Sequence, residues 1–211
     1  MKEKQKKIAQ LLLQINAIKL NPATPFIWAS GWKSPIYCDN RKTLSYPKVR
    51  QVIKENFCDI IKSKYPEADG IAGVATGAIA IGILVAEELG LPFIYIRSSA
   101  KGHGMENQIE GDYQKGNKYV VIEDLISTGG SSLNAVNALR STKCEVLGMI
   151  AIFSYGFPLA VDNFLKSDCK VDTLSNYEIL IEEAVESNYI KKSDIELLQE
   201  WRKAPDKWKQ N

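Results

Sequence analysis

The sequence predicts an α/β protein: an open, mainly parallel sheet flanked by helices, carrying a small N-terminal hood. Two observations lead there. From residue 69 onward, short continuous apolar runs alternate with stretches of helical periodicity, as expected of parallel strands buried on both faces. Ahead of it, residues 21–41 are rich in proline and aromatic residues and too irregular for a helix. The 211 residues, 45% apolar and 25% charged, suit one large globular domain or a domain with a small appendage.

The elements follow in order. Ile8, Leu11, Leu12, Ile15 and Ile18 recur at helical spacing, which predicts an amphipathic helix at the amino terminus. Gln10, Gln14 and Asn16 interrupt its apolar character and no small-residue cleavage site follows, so it does not read as a secretion signal. "NPATPFIWASGWKSPIYCDNR" (21–41) reads as turns with short extended pieces. Pro47 opens a helix to about Lys64, with Val49, Val52, Ile53, Phe57, Ile60 and Ile61 on one side. Strand "DGIAGVA", helix "AIAIGILVAEELG" stopped by Gly90, and strand "LPFIYIR" come next. Beyond a long gap lie strand "KYVVIED", a helix from about Ser131, strand "CEVLGMIAIFS" and, after "VDTLS", two helix-like stretches. A boundary near residue 68 divides the hood (1–68) from the α/β core (69–211), whose C-terminal helices are expected to fold back onto the hood.

Several classes are disfavoured. A net charge of +2 gives no global field for nucleic acid or an acidic membrane, so anion binding has to be local. No run approaches the roughly 20 apolar residues of a membrane span. Four scattered cysteines without a Cys-x-x-Cys pair suit reduced thiols in the cytoplasm, and a single histidine disfavours zinc.

Chemistry concentrates in three stretches. In an open parallel sheet ligands bind beyond the carboxyl ends of the strands. There "VVIEDLISTGGSS" (120–132) places Glu123 and Asp124, then Leu125, Ile126, Ser127, Thr128, Gly129 and Gly130, and a helix from about Ser131. Glycines that expose backbone N–H groups at a helix start form a phosphate cradle. Carboxylates beside it suit ribose hydroxyls, a hydrated magnesium ion or positive charge developing on a sugar carbon. A ribose phosphate would use both halves; the plainer reading is a helix after a strand that ends in acids. The second stretch, 97–117, has no period, and its glycines flank His103 near Arg97 and Lys101. It suits a lid closing on an anion, or a solvated loop of mixed charge. The third, "GVATGA" (73–78), lets the backbone approach a ligand closely, or makes only a tight turn.

Together these residues resemble a known family. "VVIEDLISTGGSS" is similar to the phosphoribosyl-diphosphate motif of the type I phosphoribosyltransferases, and "RSSAKGHG" with "FIWASGWKSPIYCDNR" narrows the likeness to the orotate phosphoribosyltransferases. The likeness runs through "VLGMIAIFSY" and is thinnest in the last 50 or so residues. It implies that orotate and phosphoribosyl diphosphate give orotidine 5′-monophosphate and pyrophosphate, with magnesium, in UMP biosynthesis. By the same resemblance Glu123 and Asp124 face the ribose and stabilise an oxocarbenium-like transition state. Ser127 to Ser131 hold the 5′-phosphate, with Ser127 also meeting orotate, and Leu125 and Ile126 belong to the same phosphoribosyl-diphosphate site. The "VATGA" turn lies against the pyrophosphate. Arg97, Lys101 and His103 neutralise that leaving group from a lid that closes over the neighbouring subunit's site in a homodimer, Lys101 being the first candidate for a rate-determining side chain.

The chain departs from some members of that family. Ser98, Ala29 and Gly77 stand where those members carry lysines, and Tyr155 where they carry the arginine that binds orotate. Tyr37 is then the candidate for stacking on the base and Lys33 for meeting its carboxylate. A phosphoribosyltransferase for another base, and a regulatory protein that kept the fold without turnover, are the alternatives. The first would carry a different specificity segment, and the second would lack the lid cations.

Overall fold

The computed structural model describes residues 2–28, 30–97 and 108–209. Helix α1 (Lys2–Gln14) buries Ile8, Ala9, Leu12 and Leu13 along one face. It ends sooner than the spacing through Ile18 suggests, because Asn16 adopts a left-handed φ of 54°, which asparagine tolerates better than most residues. The Ala17 N–H closes the end onto the Leu12 carbonyl at 2.9 Å, and Ile18 opens a strand instead. The proline-rich segment holds four short strands, β1 (Ile18–Leu20), β2 (Phe26–Ile27), β3 (Lys33–Ser34) and β4 (Ile36–Cys38). They form two antiparallel ribbons, β1 with β4 and β2 with β3. A 3-10 helix (Asn40–Ser45) leads into α2 (Pro47–Lys64), which starts at the proline the sequence marks.

The core alternates as predicted. In chain order it contains β5 (Gly70–Val74), α3 (Ile79–Leu89), β6 (Phe93–Ile96), β7 (Ile109–Glu110), β8 (Lys118–Ile126), α4 (Gly130–Ser141) and β9 (Glu145–Ser154). Then follow α5 (Pro158–Lys166), β10 (Val171–Asn176), α6 (Tyr177–Glu186) and α7 (Ile195–Lys203). The sheet runs β10-β9-β8-β5-β6-β7, and only β7 is antiparallel to its neighbour. All five residues of β5 are buried, as a strand covered on both faces requires. Gly90 ends α3 with a φ of 66°, the left-handed cap that glycine adopts without penalty.

Three elements depart from the expectation. Strand β7 lies inside the long stretch that shows no period; two residues are too few to show one. Helix α5 hides its pattern because Leu159, Val161 and Leu165 are exposed, Leu165 at 73%. Strand β10 is an edge strand of mixed polarity, and "VDTLSN" lacks the apolar run of the central strands. At the carboxyl end of the chain, α6 packs on α1. Lys2–Glu182 and Lys6–Glu186 ion pairs of 2.8 and 2.6 Å line that contact, and such surface pairs contribute little to stability.

Candidate active site

Strand β8 outruns its neighbour. Its pairing with β5 stops at Gly73–Ile122, whereas its pairing with β9 continues to Ile126–Ser154. Glu123 and Asp124 therefore stand where β8 has a strand on one side only. Glu123 is 4% exposed, and both of its oxygens are occupied. Oε1 accepts the Asp124 N–H at 2.9 Å, and Oε2 accepts the Ser132 hydroxyl at 2.8 Å. Burial, and then the charge of Asp124, pushes the Glu123 carboxyl up to about 8. Burial thus favours the neutral form of Glu123, which eases the repulsion that adjacent acids imply.

Asp124 is half-buried, and its carboxylate lies against Gly77 in the β5–α3 turn. A methyl group at residue 77 would overlap that carboxylate. This explains physically why glycine stands there rather than a lysine. The same turn contains a cis peptide between Ala75 and Thr76, and the Ala75 N–H donates to the Ile96 carbonyl at 2.8 Å. The Asp124 main-chain carbonyl accepts from Asn40 Nδ2 at 2.6 Å, which ties the acidic strand to the hood.

After Ile126 the chain turns through Ser127, Thr128 and Gly129 into α4. Gly129 has a φ of 83°, and a Cβ there would come within 2.8 Å of the Phe164 ring. Asn163 Nδ2 donates to the Thr128 carbonyl at 3.2 Å, so α5 braces the turn from behind. No side chain caps α4, and Gly130 and Ser131 are exposed. The first turn of the helix is thus open toward an anion.

Arg97, at the end of β6, places its Nη1 3.4 Å from Glu110 Oε1, and its N–H donates to the Gln108 carbonyl at 2.8 Å. Lys101 and His103, like Ser98 and Ala29, lie outside the described residues.

Beside the acidic strand is a cavity of about 380 Å³ lined by Ile27, Trp28, Tyr37, Cys38, Leu125, Ser127 and Tyr155. One wall is an aromatic stack. Trp28 lies on Tyr155 at 5.3 Å and Tyr155 on Phe157 at 5.3 Å, with Trp201 of α7 meeting all three rings edge-on. The Trp28 indole N–H donates to the Ile36 carbonyl at 3.0 Å, which fixes its ring. Burial, reinforced by Asp124 and Asp39, pushes the Cys38 thiol well above its usual range, so it stays a neutral thiol. Leu125 and Ser127 belong to both the acidic segment and this cavity, so the two subsites adjoin. Tyr37 lines the cavity, whereas Lys33 sits in β3 and is not among the lining residues. Two larger cavities of about 730 Å³ lie elsewhere, one along α6 and α7 and one beside Tyr65, Arg140 and Glu145. Neither touches the acidic strand, so chemistry rather than size locates the site.

Sequence reasoning missed Trp28, Asn40, Ser132, Asn163 and Trp201. Asn40 and Trp28 lie within motifs it quoted, but nothing in the string says which distant groups they touch. Asn163 and Trp201 carry no local signal.

A model of the phosphoribosyl transferase domain matches residues 42–188. An orotate phosphoribosyltransferase of Porphyromonas gingivalis is 56% identical over 208 residues, covering 99% of each chain. The chain belongs to the orotate phosphoribosyltransferase family. Solved structures agree at the level of fold. The orotate phosphoribosyltransferase of Aeropyrum pernix superposes with a TM-score of 0.76 at 24% identity, covering 87% of this chain and 99% of its own. Leishmania donovani UMP synthase superposes with a TM-score of 0.79 at 25% identity. That protein is longer: the match takes in 94% of this chain and 42% of the other. The orotate phosphoribosyltransferase family thus accounts for nearly the whole sequence, including the last 50 or so residues where the motif likeness is thinnest.

Proposed function

We propose that the protein transfers the 5-phosphoribosyl group of phosphoribosyl diphosphate to orotate, giving orotidine 5′-monophosphate and pyrophosphate. A ring nitrogen of the base gives up its proton to solvent and bonds to the anomeric carbon as the bond to the diphosphate oxygen breaks, and the electron pair of that bond leaves with pyrophosphate. The observation that carries this reading is the junction at the end of β8. An acid pair, an uncapped helix start and an aromatic cavity large enough for a base meet there within a few residues. The shared name of relatives more than half identical along the whole chain supports the choice of orotate.

Each residue takes a role from its place. The 5′-phosphate sits on the turn Ser127–Ser131, where glycines and the α4 dipole favour negative charge. The half-buried Asp124 carboxylate faces the ribose and offsets positive charge at the anomeric carbon, while Glu123 holds the Asp124 N–H and stores a proton beside it. The base fills the aromatic cavity against Tyr37, with Ser127 as the polar contact. Arg97, Lys101 and His103 neutralise the leaving pyrophosphate, the lid reaching into the site of a second subunit. Among the described residues no cluster of three or more potential ligands forms a metal cage. The Asp124 carboxylate would hold a hydrated magnesium ion beside the leaving group. Such an ion supplies charge neutralisation to the leaving group.

A homodimer fits the surface of α3. Its sequence is apolar almost all round, yet Ile83 is 47% exposed, and a helix of that composition is expected to be covered. No helix among the described residues is long and apolar enough to cross a membrane; we place the protein in the cytoplasm as part of this reading.

Orotate absorbance tests the assignment. Purified protein with phosphoribosyl diphosphate and magnesium is expected to consume orotate, and Lys101→Ala and Asp124→Asn to slow it by about a hundredfold or more. Orotate persisting while phosphoribosyl diphosphate still binds would overturn the substrate.

A further inference from the structure

We infer that Asn40 is a positioning residue that sets the height of Asp124 against the base cavity; the inference rests on the proposed transfer to orotate. Past Ile122 the β5 side of β8 has no strand. A main-chain carbonyl and N–H that face such a gap still need partners. The Asp124 N–H finds the Glu123 carboxyl, and the Asp124 carbonyl finds Asn40 Nδ2 at 2.6 Å. A carbonyl only accepts, so the Asn40 amide nitrogen has to face it. The amide oxygen then points the other way and accepts from Cys38 Sγ at 3.3 Å. Asn40 is 2% exposed, so water has no ready route to replace it. One side chain thus links a wall residue of the cavity to the acid that faces the ribose.

The link bears on chemistry because the Asp124 carboxylate has little room. Gly77 stands directly against it, so a shift of the Asp124 main chain cannot be absorbed by the side chain swinging aside. A misplacement of even 1 Å at a reacting centre can cost about a hundredfold in rate. Asn40 touches neither substrate in this arrangement; its effect passes through Asp124. A merely structural asparagine would instead satisfy a buried carbonyl, and its loss would lower stability alone.

A double-mutant cycle separates the two. Asn40→Leu, close in shape but unable to donate, is made in the wild-type and Asp124→Asn backgrounds, with kcat, both KM values and the melting temperature measured. The expected result is a drop in kcat of about tenfold in wild type, with KM for phosphoribosyl diphosphate changed by less than about threefold. In the Asp124→Asn background the same change costs less than about twofold, because the group it positions is already gone. Equal losses in both backgrounds, or a lower melting temperature with kcat intact, would overturn the inference. If Asn40→Leu does not fold, Asn40→Ser carries the same comparison. Wild-type protein that leaves orotate untouched removes the proposed function and this inference together, an outcome distinct from any pattern confined to the variants.

Discussion

Glu123 shows how a charge written in the sequence is altered by its surroundings. Its carboxyl is buried, faces a second acid, and is raised from an ordinary glutamate value to about 8. The unfolded chain releases this proton at a lower pH than the folded one. The contribution to stability is therefore whole below about pH 4.5 and declines as pH rises through about 8. Glu123→Gln keeps a neutral group in the same space and has no such slope. Its melting temperature is expected to match wild type near pH 4.5 and to exceed it by several degrees near pH 8, followed by calorimetry across that range. An offset that does not change with pH would show that the carboxyl is not held neutral.

At the scale of elements, the active edge is built by one strand that overshoots and by helices that brace it. Helix α5 is the clearest brace, with Asn163 on the Thr128 carbonyl and Phe164 against Gly129. Asn163→Ala is expected to raise KM for phosphoribosyl diphosphate by about three- to tenfold while leaving kcat within about twofold, since it loosens a binding turn and not the reacting centre. Steady-state kinetics with saturating orotate check this. Strands β5, β6, β8 and β9, helix α2 and the glycine turn were legible because each follows from local rules: continuous apolar runs, a proline at a helix start, glycines before a helix. Helix α5 was not, since its exposed Leu159, Val161 and Leu165 blur the apolar stripe that marks a packed helix. Strand β10 was hidden for the reciprocal reason, an edge position that tolerates polar residues. The acid pair and its turn could be read from one contiguous string. The aromatic wall could not, because Trp28, Tyr155 and Trp201 are joined only by the fold.

At the scale of the molecule, the hood and the core share one buried cluster, from Ile8 of α1 to Trp208 beyond α7. The surface of α3 extends the same logic outward. Ile83→Glu places a charge on its exposed apolar face and is expected to halve the solution mass in sedimentation. Activity should fall with it where the lid serves a second subunit. A variant whose mass does not change would rule out this face of α3 as the contact of the proposed homodimer.

The stack of Trp28 on Tyr155 has a spectroscopic consequence. Of the four tryptophans in the chain, Trp28 lines the cavity proposed for the base and Trp201 touches Trp28 from behind. The indole that an incoming base would meet is thus an intrinsic fluorophore at the point of recognition. Quenching of its emission offers a label-free gauge of occupancy, separable from turnover by omitting the second substrate.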